Sequence, residues 1–125
     1  MALLDAAAGA FCCHANGPIA QVSTVSLTLC VLLWARPDAE DGLIAYEDCV
    51  LGIAAEHGGR VLQRARGSGI DGQPLEVQLL DFPSSQCLDA FMTDDRRQAL
   101  ASERERVIAK TEVIHVRLVQ QGSAQ

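Results

Sequence analysis

From Leu75 to Arg104 the chain reads LEVQLLDFPSSQCLDAFMTDDRRQALASER: an apolar strand pattern that breaks at Asp81-Phe82-Pro83-Ser84-Ser85 and passes directly into an amphipathic helix pattern. Proline cannot donate to the ladder of a central strand, and a serine just after it can accept a hydrogen bond from the free amides that open a helix. The same order, strand then helix, occurs once before, from Val25 to His57. Two such halves in so short a chain imply one sheet with its helices gathered on one face.

The elements can be placed in turn. Val25 to Arg36 reads as a central strand, with Val25, Leu27, Leu29, Val31 and Leu33 on one face and Ser26, Thr28, Cys30, Leu32 and Trp34 on the other, so both faces need cover. Pro37-Asp38 ends it. Leu43, Tyr46, Val50, Ile53 and His57 recur at helical spacing, and Gly58-Gly59 stops that helix. A second strand, Arg60 to Arg66, leads through a glycine-rich loop into a third, Pro74 to Phe82, as in a hairpin. Ser84 or Ser85 caps the next helix, whose buried stripe is Leu88, Phe91 and Met92. Thr93-Asp94-Asp95 then starts a longer helix to about Lys110, with Leu100, Val107 and Ile108 inward. Thr111 to Val119 is the fourth strand. The class is α+β, a ferredoxin-like split βαβ (β-α-β-β-α-β) with a four-stranded antiparallel sheet. Residues 25–120 form this domain, 1–24 an N-terminal extension rich in small residues, and 121–125 a tail.

Composition narrows the function. With 49% hydrophobic residues in 125, more apolar surface is present than one small core absorbs, which points to burial against a partner. The formal charge of −6 opposes binding along a phosphate backbone, so nucleic acid is not expected. The longest apolar run, Leu27 to Ala35, is too short to span a bilayer, and the N-terminal MALLDAAAGAFCCHA has no basic start and carries Asp5, unlike a secretory signal. The expected setting is cytoplasmic. Cys30, Cys49 and Cys87 fall on the apolar side of their elements, where cysteine acts as a small hydrophobe. Cys12-Cys13-His14 lacks the spacing that lets ligands converge on a tetrahedral ion, so no metal and no cofactor is expected.

At Gly58-Gly59-Arg60 with Leu62 and Arg64, at Leu79-Leu80-Asp81-Phe82-Pro83-Ser84, and at Asp94-Asp95-Arg96-Arg97 with Leu100 and Arg104, the chain resembles the dimeric α/β-barrel superfamily. It is nearest to small uncharacterised bacterial domains with a Phe-Pro-Ser turn, and more distantly similar to antibiotic-biosynthesis-type monooxygenases. The resemblance covers about residues 25–119. It implies that two four-stranded sheets pair face to face as a homodimer. The relatives often carry an aromatic residue where Arg96 or Arg97 stands here, and the histidine and asparagine arrangement of haem-degrading relatives has no match.

The candidate site follows from strand parity. If Ile114 and Val116 face the helices, His115 and Arg117 point into the space between sheet and partner, where a neutral histidine can act as a base; its alternative role is a hydrogen-bonded interface group. Glu76, Gln78, Leu80 and Phe82 share one face of strand three, and the corresponding face of strand one would carry Thr28, Cys30, Leu32 and Trp34. Trp34, Arg64, Glu76, Gln78, Phe82 and Arg117 are therefore the ligand-binding candidates, with His115 the catalytic one and Trp34 at the rim. Glu76 with Arg64 or Arg117 also reads as a structural ion pair, since a buried charge needs a partner. The charged residues from Asp94 to Arg106 read mostly as a solvated helix face. Two functions stand open. One is a barrel that binds a small metabolite between sheet and partner. The other is a cofactor-independent monooxygenase or small isomerase acting on an aromatic or polyketide-like substrate.

Overall fold

In the computed structural model, which describes residues 26–119, the strand β1, Leu27–Ala35, alternates as its sequence does. Leu29, Val31 and Leu33 are buried, while Cys30, Leu32 and Trp34 between them are half-buried. β1 pairs on both edges, with β3 (Glu76–Phe82) and β4 (Ile108–Val116); β2 (Arg60–Arg66) adds outside β3. The order β2-β3-β1-β4, antiparallel throughout, is that of the split βαβ.

The first helix, α1 (Glu40–Glu56), buries Leu43, Tyr46, Val50 and Ile53 as their spacing requires, together with Glu47 and Ala54. It ends on Gly58, whose φ of 85° is easy only for glycine. The Gly58 amide donates to the Ala55 carbonyl at 3.1 Å and the Gly59 amide to that of Ala54 at 2.9 Å, the paired bonds of a Schellman ending. Gly59 is needed for space too, because a Cβ there would lie 2.9 Å from the Phe82 ring. After Pro83, Ser84 caps α2 (Ser85–Met92) by accepting from the Cys87 amide at 3.2 Å. Asp94 caps α3 (Asp95–Ala99), accepting from the Arg96 amide at 2.8 Å, and its other oxygen lies 2.8 Å from His57 Nε2. The Arg96 guanidinium is the main reason that the Asp94 carboxyl is held well below the usual carboxylate range.

Several expectations need correction. The helix expected from Asp94 to Lys110 is broken at Leu100, and α4 (Ala101–Val107) gives way to β4 three residues before Thr111. The Arg36 amide donates to the Val107 carbonyl at 3.0 Å, and Ala35 pairs with Ile108 across a register shift, so the end of β1 captures the chain early. Two adjacent β-branched residues, Val107 and Ile108, favour that change to extended backbone. Met92, expected in the buried stripe, is 42% exposed, and Cys49 is exposed as well.

A further correction concerns the faces. The register sets Leu29 opposite Leu80 and His115, Val31 opposite Gln78 and Val113, and Leu33 opposite Glu76 and Thr111. Directly opposed residues in neighbouring strands project to the same side. Glu76, Gln78, Leu80, Phe82, Val113 and His115 therefore lie on the helix-covered face with the core. The open face carries Thr28, Cys30, Leu32 and Trp34 with Val77, Leu79, Ile114 and Val116. His115 does not point toward a space beyond the open face, and the strand-three candidates do not share a face with Trp34. Alternation yields two faces for each strand; only the register says which ones join.

The extension 1–24, with Cys12, Cys13 and His14, and the tail 121–125 lie outside the described residues. No helix among the described residues is long and apolar enough to cross a membrane.

Candidate functional site: a cavity between helices and sheet

A cavity of about 410 Å³ lies between the helix-covered face of the sheet and the helices. Its floor is Leu29, Val31, Gln78, Leu80 and Phe82; α1 contributes Tyr46, Glu47 and Val50, α2 contributes Phe91 and Met92, α3 Arg97 and α4 Arg104. Thr111, Val113 and His115 of β4 complete the lining, the last two exposed. The space exists because the helices fail to cover β4 with bulk. No residue of α3 is buried, and α4 buries Val107 alone.

One polar chain enters this apolar surround from the sheet. Gln78 Nε2 donates to Glu47 Oε1 at 2.9 Å and to Glu76 Oε2 at 2.8 Å. Arg64 grips both oxygens of Glu76, Nε at 2.7 Å from Oε2 and Nη2 at 3.1 Å from Oε1, and its Nη1 reaches Asp48 at 2.9 Å. Arg66 Nε lies 3.2 Å from Glu76 Oε1. The hydrogen bonds of Glu76 hold the Arg64 guanidinium still more firmly protonated than usual. Glu76 is thus a fully buried carboxylate with its charge matched, whereas Glu47, 6% exposed, accepts from a neutral amide. Burial pushes the Glu47 carboxyl above the ordinary range, against the Gln78 hydrogen bond and with help from the charge on Glu76.

A second polar group comes from the helices. The Arg97 guanidinium sits 5.2 Å from the centre of the Phe91 ring, Nη1 donates to the Met92 carbonyl at 3.3 Å, and Nε is buried without an acceptor among the described residues. Arg104 Nη2 donates to Thr111 Oγ1 at 3.0 Å. Burial raises the pKa of the Tyr46 hydroxyl, and both guanidinium groups pull it back, so the three groups are electrostatic neighbours.

Glu47→Gln should keep the bond from Gln78 and change the pH dependence of stability. The folded chain holds the Glu47 proton above the range in which the unfolded chain releases it, near pH 4.3. Stability tied to that proton is complete below this range and is lost as pH rises through the folded value. The variant has no proton to lose, so its melting temperature relative to the parent should improve as pH rises above about 4.5. Each tenfold weakening of ionisation corresponds to about 1.4 kcal/mol. A difference in melting temperature that stays constant with pH would mean that Glu47 titrates as in the unfolded chain.

No protein-family model matches the chain, and no match to a curated protein was found. Solved structures do match. A protein of unknown function from Rhodopseudomonas palustris superposes with a TM-score of 0.65 at 14% identity, over 84% of this chain and 92% of that one. SnoaB, a cofactor-independent oxygenase from Streptomyces nogalater, gives 0.60 at 9%, over 78% and 97%. A dimeric protein of unknown function and ferredoxin-like fold from Bacteroides fragilis gives 0.54 at 10%, over 74% and 96%. The chain has a ferredoxin-like fold.

Within this ferredoxin-like domain the sequence candidates separate. Gln78, Phe82 and His115 line the cavity. Glu76 lies behind Gln78, held by Arg64 and Arg66. Trp34 is on the open face, its Nε1 donating to the Gly72 carbonyl at 2.8 Å and its ring 4.4 Å from Lys110 Nζ, so it is not at the cavity rim. Arg117 follows the end of β4 and is exposed. Tyr46, Glu47, Arg97 and Arg104 were not among the candidates. Glu47 had a signal: it stands four residues after Leu43 and three before Val50, inside the apolar stripe. Arg97 and Arg104 are seven apart with Leu100 between, a spacing that pointed to one side of the segment rather than to scattered solvent charges, although the helix breaks at Leu100. Among the described residues no cluster of three or more His, Cys, Asp or Glu could hold a metal ion.

Proposed function

We propose that this ferredoxin-like domain works as a homodimer that binds a small metabolite in the cavity between its helices and sheet. The cavity carries the reading: about 410 Å³, walled by Leu29, Leu80, Phe82 and Phe91, with Tyr46, Glu47, Gln78, Arg97 and Arg104 converging on it. A mostly apolar space with a few placed polar groups is the usual make-up of a small-ligand site. The open face supports the dimer. Leu32, Val77, Leu79 and Ile114 have no helix over them among the described residues, and a second sheet laid on this face would cover an apolar patch of the kind soluble monomers seldom expose. The Bacteroides fragilis neighbour is described as dimeric. The proposed setting is the cytoplasm, and nucleic acid has no part in the proposal for a chain of charge −6.

The second reading, a cofactor-independent monooxygenase or small isomerase acting on an aromatic or polyketide-like substrate, rests on His115. It stands at the exposed edge of the cavity, where it would take a proton from a seated substrate, and the oxygenase SnoaB shares the fold. Sedimentation at micromolar concentration should give twice the chain mass; monomer alone would refute the dimer. Oxygen uptake with dithranol, an electron-rich anthrone, separates the oxygenase from the binding protein. His115→Ala should leave stability within about 0.5 kcal/mol, since the ring is exposed. Uptake that falls roughly a hundredfold in this variant supports the oxygenase. Ligand binding without uptake supports the binding protein.

A further inference from the structure

Arg97 and Arg104 are the basic side chains of the cavity apart from His115, and neither has a carboxylate within ion-pair distance among the described residues. That is unexpected in a chain with 16 acidic residues against 10 basic ones. Arg60, Arg64, Arg66, Arg96 and Arg106 all found acidic partners. Arg97 is held in place by the Phe91 ring and the Met92 carbonyl, yet its Nε is buried with no acceptor among the described residues. A buried donor left unpaired is costly, and an acceptor arriving in the cavity would remove that cost. The Tyr46 hydroxyl, also in the cavity lining, offers a third donor. Of the two carboxyls in the cavity lining, Asp89 is exposed and Glu47 accepts from the Gln78 amide, and neither is within ion-pair distance of these arginines.

Resting on the cavity being the ligand site, we infer that the ligand is an organic carboxylate with an aromatic or alicyclic body, its carboxylate held by Arg97 and Arg104 and its ring against Phe91 and Leu80. A planar guanidinium matches a carboxylate through paired, charge-assisted hydrogen bonds, and that of Arg97 already sits over an aromatic ring here. The overall charge of −6 repels an anion at long range, so affinity for one has to come from these local groups and from apolar burial.

The test uses the full chain with 2-naphthoate and its neutral isostere 2-naphthamide, followed by calorimetry and by methyl NMR signals of Leu80 and Val113. The carboxylate should bind about tenfold more tightly or better than the amide, as expected for charge-assisted bonds. Arg97→Gln and Arg104→Gln should each erase much of that preference, while Arg117→Gln, outside the cavity, should leave it intact. Arg97→Lys, which keeps the charge but loses the fork, should fall between. The two arginines stand on different helices, so a folding failure of one variant leaves the other to decide. Equal binding of the two probes with shifts at Leu80 and Val113 overturns the anion assignment and leaves the cavity as a ligand site. So does a preference that survives in every folded arginine variant. No shift from either probe overturns both.

Discussion

Arg64→Met should lower the unfolding free energy by about 3 kcal/mol, the low end of what breaking a buried ion pair costs. The loss arises less from the missing attraction than from what it strands. Glu76 is 0% exposed, and Arg64 supplies two of its hydrogen bonds. Arg66, at 3.2 Å, and Gln78 remain, which is why the higher figures for a bare buried charge do not apply. The revealing comparison is with the double variant Arg64→Met, Glu76→Met. Removing both charges replaces the pair with apolar volume and should restore most of the loss. Gln78 then keeps Glu47 as one acceptor but loses Glu76 as the other, and Arg66 loses its carboxylate, so the recovery should stop short of the parent. Urea denaturation of the two variants gives the answer: equal losses would mean that Glu76 without Arg64 costs no more than a methionine, its charge being carried by Arg66 and Gln78 alone.

This network also shows where sequence reading succeeds and where it stops. The elements were legible because their causes are local: alternation in Leu27–Ala35, the stripe at Leu43, Tyr46, Val50 and Ile53, the Gly58-Gly59 stop and the Ser84 cap. The end of the last helix was not legible, because it is set by a bond from Arg36 and by pairing with Ala35, more than seventy residues away in sequence. The same limit governs the site. Leu29 opposite Leu80 and His115 is a fact of register, and a one-residue slip in either pairing would have sent His115 or Phe82 to the other face. Charged residues were the hardest to place. Glu47, Arg97 and Arg104 have the composition of a solvated surface, and only the gap over β4 turns them toward one cavity.

Phe82→Ala should cost about 3–5 kcal/mol, in the range of buried aromatic truncations. Phe82 is 1% exposed, stacks on Phe91 with ring centres 5.7 Å apart, and touches the space in which only glycine fits at position 59. Its loss therefore removes apolar burial, frees the Phe91 ring that supports Arg97, and extends the existing cavity instead of letting the walls collapse. The last consequence separates a cavity that accepts ligands from one that is merely a packing gap. An apolar molecule that enters the enlarged space stabilises the folded chain by mass action, about 2.7 kcal/mol at a hundred times its dissociation constant. Millimolar indole should consequently raise the melting temperature of the variant more than that of the parent. Equal shifts would mean that the space left by Phe82 is filled by neighbouring side chains and does not join the cavity.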